Sequence, residues 1–465
     1  MQVAILSGIV SRATPDLVRS HPTNVMPVVE SGDGGGTGIS KGYLRTPPGV
    51  RTVAAITGPD RGGTDWNGAH YRVIGASLVT VANDGATTTI GAILNDGKPV
   101  TFATSFDRLA IAGSGNLYYY DGTALVQVTD PDLGAALSVV WQDGYFLTTD
   151  GTSIVATELN DPTAVDPLKY GSSEADPDPV VGLLSQRSRL YGINRYSIEV
   201  FNNVGGTGFP FAVSRGSQIP KGAVGPHAYS PFVETFAFVG SGRNEAPAVY
   251  LAGSGQGIGI SPRALNIELE ALNADQLAAI EVETRNVGGL VELLVHLPNV
   301  TWAYGWTSSQ QADLPVWYRL AAQNGPYVPR HLTLSGGLWW VGSATALGVI
   351  DDTISAVFGE DLAWSFDTPL TYNAGNGAIF HAVELVTIGG RSEEGDTVAL
   401  SWTDDGVTYG GERFTSTGIA GQRAVRPAWR RLGRMRSWRG LRFRGVARSP
   451  VAFARLEATL EGLNG

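Results

Sequence analysis

Apolar positions in this chain come in short alternating bursts separated by glycine turns, with little helical spacing. The clearest burst lies between Asp107 and Gly122. Leu109 and Ile111 alternate with small residues, as a half-buried strand requires. Gly113-Ser114-Gly115-Asn116 supplies a tight turn, Leu117 to Tyr120 forms an aromatic return strand, and Asp121-Gly122 makes the next turn. Related strand cores fall at Tyr71–Ile74, Gly144–Leu147, Arg189–Ile193, Thr235–Val239, Glu292–His296 and Gly337–Val341. They recur roughly 35–57 residues apart, close to the ~40–50 of propeller blades. The pattern predicts an all-β fold: a propeller-like array of six or seven hairpin blades over residues 66–360. The competing architecture is one large sandwich of unrelated hairpins.

Two regions depart from this texture. Residues 1–65 read as an N-terminal extended arm and loop. This stretch contains the Gly-rich run Ser31 to Gly38 and the segment Gly42-Tyr43-Leu44-Arg45-Thr46-Pro47-Pro48-Gly49, closed by a Pro-Gly turn. Residues 361–465 read as a separate C-terminal, Arg-rich β-sandwich. There Thr397 to Trp402 alternates, Thr403-Asp404-Asp405-Gly406 turns the chain, and Val407-Thr408-Tyr409 returns it. Leu441-Arg442-Phe443-Arg444 places apolar groups on one face and Arg on the other. One helix is expected at Asn273-Ala274-Asp275-Gln276, which has capping-box form and fits a blade connection.

Composition sharpens the picture. The 465 residues include 61 Gly and 11 Trp, with 16% charged residues, a profile of turn-rich β structure. There is no Cys, which removes disulfides, thiol chemistry and Cys-based zinc sites. Met1 to Ser7 carries neither a basic segment nor a long apolar run and does not read as a signal peptide. No stretch approaches the ~18 apolar residues of a membrane span. Synthesis and folding in the cytoplasm is the simplest expectation. The net charge is −10, yet Phe414 to Leu456 holds eleven Arg and no Asp or Glu, leaving about −21 on the rest. Such asymmetry points to a partner of opposite charge or to self-assembly.

Candidate chemistry is sparse. The six His residues (His21, His70, His227, His296, His331 and His381) show no metal-ligand spacing. No Gly-x-Ser-x-Gly elbow occurs. The run Ala252 to Gly259 is Gly-rich but lacks the Lys-Ser/Thr of a phosphate loop, so it reads as a blade turn. Asp176-Pro177-Asp178-Pro179 reads as a rigid polar turn. Asp404-Asp405-Gly406-Val407-Thr408-Tyr409 approaches the Asp-box turn of sialidase-like propellers, which is structural even in enzymes. The carboxylate pairs Glu393-Glu394 and Asp351-Asp352 are sequence neighbours, not groups facing across a substrate ~5–9 Å wide. No catalytic, metal or cofactor residue is therefore assigned. The strongest unusual feature is the Arg-rich segment, with Arg430, Arg431, Arg434, Arg436, Arg439, Arg442 and Arg444 as protein-interface candidates. Phosphate contact with nucleic acid and a solvated, internally paired face are the competing readings.

Several stretches together resemble one family, the tail accessory factor of short-tailed bacteriophages, also called packaged DNA stabilisation protein, tail hub or nozzle. They are Gly42 to Gly49, Tyr250-Leu251-Ala252-Gly253-Ser254-Gly255-Gln256, Leu272-Asn273-Ala274-Asp275-Gln276-Leu277 and His296-Leu297-Pro298. To these are added Thr403 to Gly410, Trp429-Arg430-Arg431-Leu432-Gly433-Arg434 and Arg448-Ser449-Pro450-Val451. Each is weak alone; their shared order across nearly the whole chain is specific. The resemblance implies a non-enzymatic virion protein, a homohexameric ring below the portal and its adaptor ring. That ring closes the head after DNA packaging, retains the genome and provides the ejection channel, through which DNA passes without sequence-specific binding. Tailspikes or tail fibres attach around it, and a needle or plug protein sits at its tip. It implies no cofactor and no catalytic residues. The insert at residues 32–38 and the segment around Ala164 to Pro179 depart from the family pattern and leave open which fibre or plug is held. The rivals are a glycan-cleaving propeller, suggested by the Asp-box-like turn, and a free DNA- or glycan-binding module.

Overall fold

The computed structural model describes residues 1–10, 17–29, 42–159, 161–173, 176–323, 325–373, 375–387 and 395–463. The Gly-rich run at 31–38 and the pair Glu393-Glu394 lie outside the described residues. The seven apolar bursts are the second strands of seven separate antiparallel sheets, Ala69–Ile74, Leu109–Gly113, Tyr145–Thr149, Arg189–Asn194, Thr235–Ser241, Leu290–His296 and Leu338–Gly342. They read so clearly because the second strand of a blade is covered on both faces by neighbouring blades, so side chains of either parity are apolar. All five residues of Leu109–Gly113 are buried, with Leu109 opposite Tyr120 and Ile111 opposite Tyr118.

The sheets are numbered here as blades 1–7 in chain order, beginning at Asp60. Their first strands neighbour one another around a common axis: Asp60–Trp66 lies beside Arg330–Ser335, Thr101–Thr104 beside Val139–Gln142, and Tyr229–Phe232 beside Glu281–Val287. Each blade shares an apolar core with the next. Trp66, Tyr71 and Leu109 sit in one such core, and Phe146, Leu117 and Val155 in another. The ring closes through the segment read as an arm. Gly49–Ala55 is the outermost strand of blade 7, paired with Ala346–Asp351 in the register Asp351 to Gly49 and Ala346 to Ala55. The first strand of blade 1 begins at Asp60, so residues 1–65 are not a free arm.

Three strands that precede Gly49 belong to the second domain. Gln2–Val3, Met26–Val29 and Gly42–Arg45 join a sheet ordered Met26–Val29, Gly42–Arg45, Ala452–Gly462, Ala378–Thr387, Ala428–Met435. Gln2–Val3 pairs with Ala452–Gly462. The facing sheet runs Leu362–Asp367, Trp438–Ala447, Thr397–Thr403, Arg413–Ser416. Trp364, Phe366, Phe443, Phe453 and Trp429 fill the space between the sheets. The return strand expected at Val407 to Tyr409 is displaced to Arg413–Ser416, because Asp405 draws the intervening backbone into a turn.

Helices occupy connections. Arg263–Glu270 and Ala274–Ala278 link blades 5 and 6. Asn273 caps the second with the reciprocal box its spacing implied: its side chain accepts from the Gln276 N–H at 2.9 Å, and Gln276 accepts from the Asn273 N–H at 3.1 Å. The Gly-rich run after Ala252 is the turn between Ala248–Ala252 and Gly257–Gly259.

The two domains are stitched by backbone. Pro22 to Asn24 lies between blade 6 and the sandwich. Thr23 exchanges N–H···O bonds with Ser365 at 2.9 and 3.0 Å, while Arg319 N–H donates to Pro22 and Asn24 N–H to Arg319 at 2.8 and 2.7 Å. Asn24, only 1% exposed and at φ +55°, donates from Nδ2 to the carbonyls of Ala321 and Ala363 at 2.8 and 2.6 Å. Its Oδ1 accepts from Ala321 N–H at 3.0 Å. One buried amide thus joins the fourth strand of blade 6, Trp317–Ala322, to the first strand after the propeller.

Candidate functional site: the axial cavity and the arginine edge

Two places gather polar chemistry. The first is the propeller axis, where a cavity of about 530 Å³ is lined by the first strands of all seven blades. Its lining mixes small residues with the larger Phe102, Trp141 and Tyr229, and His227, Tyr229, Glu281, Glu283 and His331 are its titratable groups. Three blades meet in a buried charge network on one side. In blade 1, Arg72 grips Asp60 with two bonds of 2.7 and 2.6 Å, and both side chains are fully buried. His331, from blade 7, donates from Nδ1 to Asp60 at 2.8 Å and holds Nε2 3.4 Å from Glu281 of blade 6. Its carbonyl accepts from Arg72 at 2.8 Å. Beside it, Glu283 holds His296 at 2.8 Å and accepts the Leu332 N–H at 2.7 Å.

Burial alone would discharge these groups, yet the partners outweigh it. Burial lowers His331, but its bonds to Asp60 and Glu281 raise it to about 10. Burial raises Asp60, but Arg72 and His331 bring it down to about 2. Glu281 likewise falls to about 2 against burial, through His331 first. The backbone makes room for the network: a Cβ at Gly342 would stand 2.0 Å from the Asp60 carboxylate. His331 sits at φ +55° where the register of its strand shifts. Each of these carboxylates is committed to a structural partner. Among the described residues, no group of three or more His, Asp or Glu side chains is placed to hold a metal ion.

The second place is the Arg-rich segment, and the structure divides it. Arg439 is 2% exposed; it pairs with Asp404 at 2.8 Å and donates to the carbonyls of Leu432 and Arg434 at 2.8 and 2.9 Å. Arg442 pairs with Asp367 at 2.7 Å and lies 3.7 Å over the Tyr409 ring. Arg444 pairs with Glu412 at 2.6 Å. Each of these three is neutralised by a carboxylate of its own chain. Arg430, Arg431, Arg434 and Arg436 are exposed and form no ion pair among the described residues.

Local geometry explains the display. Ala428–Met435 is the edge strand of its sheet. Arg431 at φ +58° and Gly433 at φ +79° break the alternation, so Trp429, Leu432 and Met435 are buried at intervals of three. Two exposed residues then fall between successive anchors instead of one. Arg434 belongs to this strand, whereas Arg436 sits in the turn before Trp438, so strand alternation does not relate the two. Arg442 and Arg444 do share a face, alternating with buried Leu441 and Phe443. The edge is also closed to strand addition. Arg413 donates to the carbonyls of Arg430 and Arg431 at 3.0 and 3.1 Å, and Arg439 covers those of Leu432 and Arg434.

The Asp-box-like turn is likewise structural. Asp405 Oδ1 accepts the N–H groups of Val407 and Thr408 at 2.8 and 2.7 Å and the Thr403 hydroxyl at 2.8 Å, which holds the carboxyl well below the usual range. A further cleft of about 1070 Å³ opens between blade 6 and the sandwich, lined by Asn24, Gln323, Asp361, Asp396, Phe414 and Arg448 among others. Burial there pushes Asp396 up to about 6, with Asp361 adding to it.

A β-propeller followed by a β-sandwich is the pairing described for a family of bacteriophage proteins. Residues 1–355 match the family described as Bacteriophage P22 Gp10, beta-propeller, and residues 363–461 match Bacteriophage P22 Gp10, beta-sandwich; the chain belongs to this family. The tail hub protein gp10 of Salmonella phage P22 is 28% identical over 447 residues, covering 91% of this chain and 92% of that protein. The chain is therefore a homologue of a structural tail component of the virion. Among solved structures, the Neurospora crassa Pan2 WD40 domain aligns with 66% of this chain and 95% of its own, at 10% identity and a TM-score of 0.41. The N-terminal domain of Nup159 aligns with 70% of this chain and 99% of its own, at 9% identity and a TM-score of 0.39.

Proposed function

We propose that this chain is the tail hub of a short-tailed bacteriophage. It assembles as a homohexameric ring below the portal and its adaptor ring, closes the filled head, retains the genome and leaves a channel for ejection. Tailspikes or fibres, and a needle or plug, dock on that ring. The observation that carries the reading is the family match over both domains, together with likeness to a P22 tail hub protein along nine-tenths of the chain. The structure supports it in kind. Titratable groups at the axis are engaged in holding blades together, which suits a non-enzymatic scaffold. Self-assembly also suits a protein whose charge is split between an acidic majority and an Arg-rich edge. Assembly takes place in the host cytoplasm and the protein ends in the virion tail.

The test is a phage carrying an amber codon in this gene. Grown without suppression, it should yield heads that package DNA and then lose it, and wild-type protein supplied in trans should restore retention. Heads that keep their DNA and infect normally without the protein would refute the reading.

A further inference from the structure

We infer that copies of this chain join head to tail, the exposed arginine edge of one sandwich meeting the acidic blades 2 and 3 of the next propeller. The inference rests on the hub reading and names the contact that would build its ring. Three observations carry it.

The first is the unpaired edge. Arg426, Arg439, Arg442 and Arg444, in the same segment, each hold a carboxylate of their own chain. Arg430, Arg431, Arg434 and Arg436 hold none among the described residues, and the bulge at Arg431 turns more of them outward than a regular strand would. The carbonyls of residues 430, 431, 432 and 434 are already taken by Arg413 and Arg439. A partner must therefore be read through guanidinium groups rather than by adding a strand, which selects a carboxylate-bearing surface.

The second is the complementary surface. Blades 2 and 3, residues 101–172, contain nine Asp or Glu and only Arg108 and Lys169 as bases. Arg108 lies against Asp107 and Lys169 against Glu158. Asp121, Asp130, Asp132, Asp143, Asp150 and Asp161 form no ion pair among the described residues. Asp121, Asp143 and Asp161 sit in turns at one end of the blade strands, and Asp130, Asp132 and Asp150 at the other end. Asp121 and Asp161 are held below the usual carboxylate range by hydrogen bonds from the Thr163 hydroxyl and from backbone N–H groups.

The third is placement. The sandwich is fastened to blades 6 and 7, through Thr23 and Ser308 at blade 6 and, just after blade 7, through Ser355, whose N–H donates to the Arg448 carbonyl at 2.9 Å. In a seven-bladed ring, blades 2 and 3 lie across the axis from that attachment. Within the sandwich, Ala428–Met435 is four strand positions from Met26–Val29, the strand nearest the propeller, or roughly 19 Å away. The basic edge thus lies at the far side of its sheet from the strand nearest the propeller, while the acidic blades lie across the axis from the attachment. Patches so separated do not neutralise each other within one chain. They make heterologous contacts, which generate rings when the rotation closes.

The experiment uses full-length chain and two charge variants. One carries Arg430→Ser, Arg431→Ser, Arg434→Ser and Arg436→Ser; the other carries Asp121→Asn, Asp143→Asn and Asp161→Asn. Both are checked for an unchanged circular dichroism spectrum, and association is measured by sedimentation velocity at low and high salt. Wild type should associate at low salt, and each variant alone should associate about tenfold or more weakly. An equimolar mixture of the two should form dimers but no larger ring, because only one intact pair of surfaces remains. Any of three results would overturn the contact: monomeric wild type at low salt and high concentration, rings from either variant alone, or intact assembly of the arginine variant with loss of duplex DNA binding. None of them touches the hub reading, which stands or falls on DNA retention in the amber phage.

Discussion

Arginine does opposite work at the propeller axis and at the sandwich edge. Arg72 is sealed from water, holds Asp60 with two bonds and reaches the backbone of blade 7. Arg430, Arg431, Arg434 and Arg436 lie in solvent with no carboxylate of their own among the described residues. Between these extremes, Arg439 is buried and paired, yet its remaining N–H groups seal a sheet edge. A buried guanidinium commits its partners and so defines one arrangement of the fold. An exposed one leaves its interaction energy to a second molecule. Because a buried charge is costly unless paired, the two classes should respond to mutation by very different amounts.

The largest effect is expected at the axis. Arg72→Met leaves the Asp60 carboxylate buried beside a thioether and should destabilise the propeller by about 3–5 kcal/mol in urea unfolding. Asp60→Asn added to Arg72→Met should recover part of that loss, since the buried carboxylate, left with His331 alone as its charged partner, is then gone. A loss below about 1 kcal/mol for Arg72→Met would mean that the pair contributes no more than a surface salt bridge. Gly342→Ala tests the same network from the other side, because its new methyl meets Asp60.

Next comes the joint between the two regions. Asn24→Ala removes three hydrogen bonds to buried backbone groups and puts a less tolerant residue at positive φ. A destabilisation of about 2–4 kcal/mol is expected. Its distinctive sign is loss of cooperativity: calorimetry should show propeller and sandwich unfolding separately where wild type unfolds together. A single transition shifted downward would show that the core contacts alone couple the domains.

A smaller effect follows from pH. The folded value of His331, about 10, lies above its ordinary 6.5, so its contribution is complete below pH 6.5 and fades as pH rises towards 10. Asp60 is depressed to about 2 from 3.8, so its contribution is complete above pH 3.8 and fades as pH falls towards 2. Stability should therefore decline between pH 7 and 10 in wild type, and more gently in His331→Gln. Equal alkaline slopes in the two proteins would separate His331 from the effect.

How much of this was legible in the chain differs between the regions. Second strands of the blades announced themselves because both faces are buried, as at Leu109–Gly113 and, within the strand of blade 7, at Trp340–Gly342. The strands that close the ring did not. Gly49–Ala55 is half exposed as an outermost strand, so it lacks an apolar signature, and its partner lies some 300 residues away. Asp60–Trp66 lines the axis and reads as a polar, Gly-containing loop. Of the chemistry, the arginine segment was visible by composition alone, whereas its division into paired and free groups was not. Asp367, Asp404 and Glu412 reach Arg442, Arg439 and Arg444 only through sheet pairing. The axial network escaped for a simpler reason: Asp60 and His331 are 271 residues apart, and neither carries a local motif.

The smallest expected effect belongs to the exposed edge, and it separates a surface kept for a partner from one kept for folding. Replacing Arg430, Arg431, Arg434 and Arg436 by Ser removes no ion pair among the described residues and leaves Trp429, Leu432 and Met435 in the core. Surface changes away from buried features lie within about 0.5 kcal/mol each. The four sites are close enough to couple, and the sign can be anticipated. Like charges crowded on one edge repel, so their removal should leave stability unchanged or raise it slightly, most visibly at low salt where screening is weak. The edge carbonyls stay covered, because Arg413 and Arg439 are untouched. The control is Arg439→Leu, which uncovers two of those carbonyls and strips Asp404 of its partner. That variant should lose stability and tend to aggregate, while the quadruple variant remains soluble and folded. If the quadruple variant instead unfolds at markedly lower urea, the four arginines belong with Arg439 as structural groups, and the contrast between axis and edge is lost.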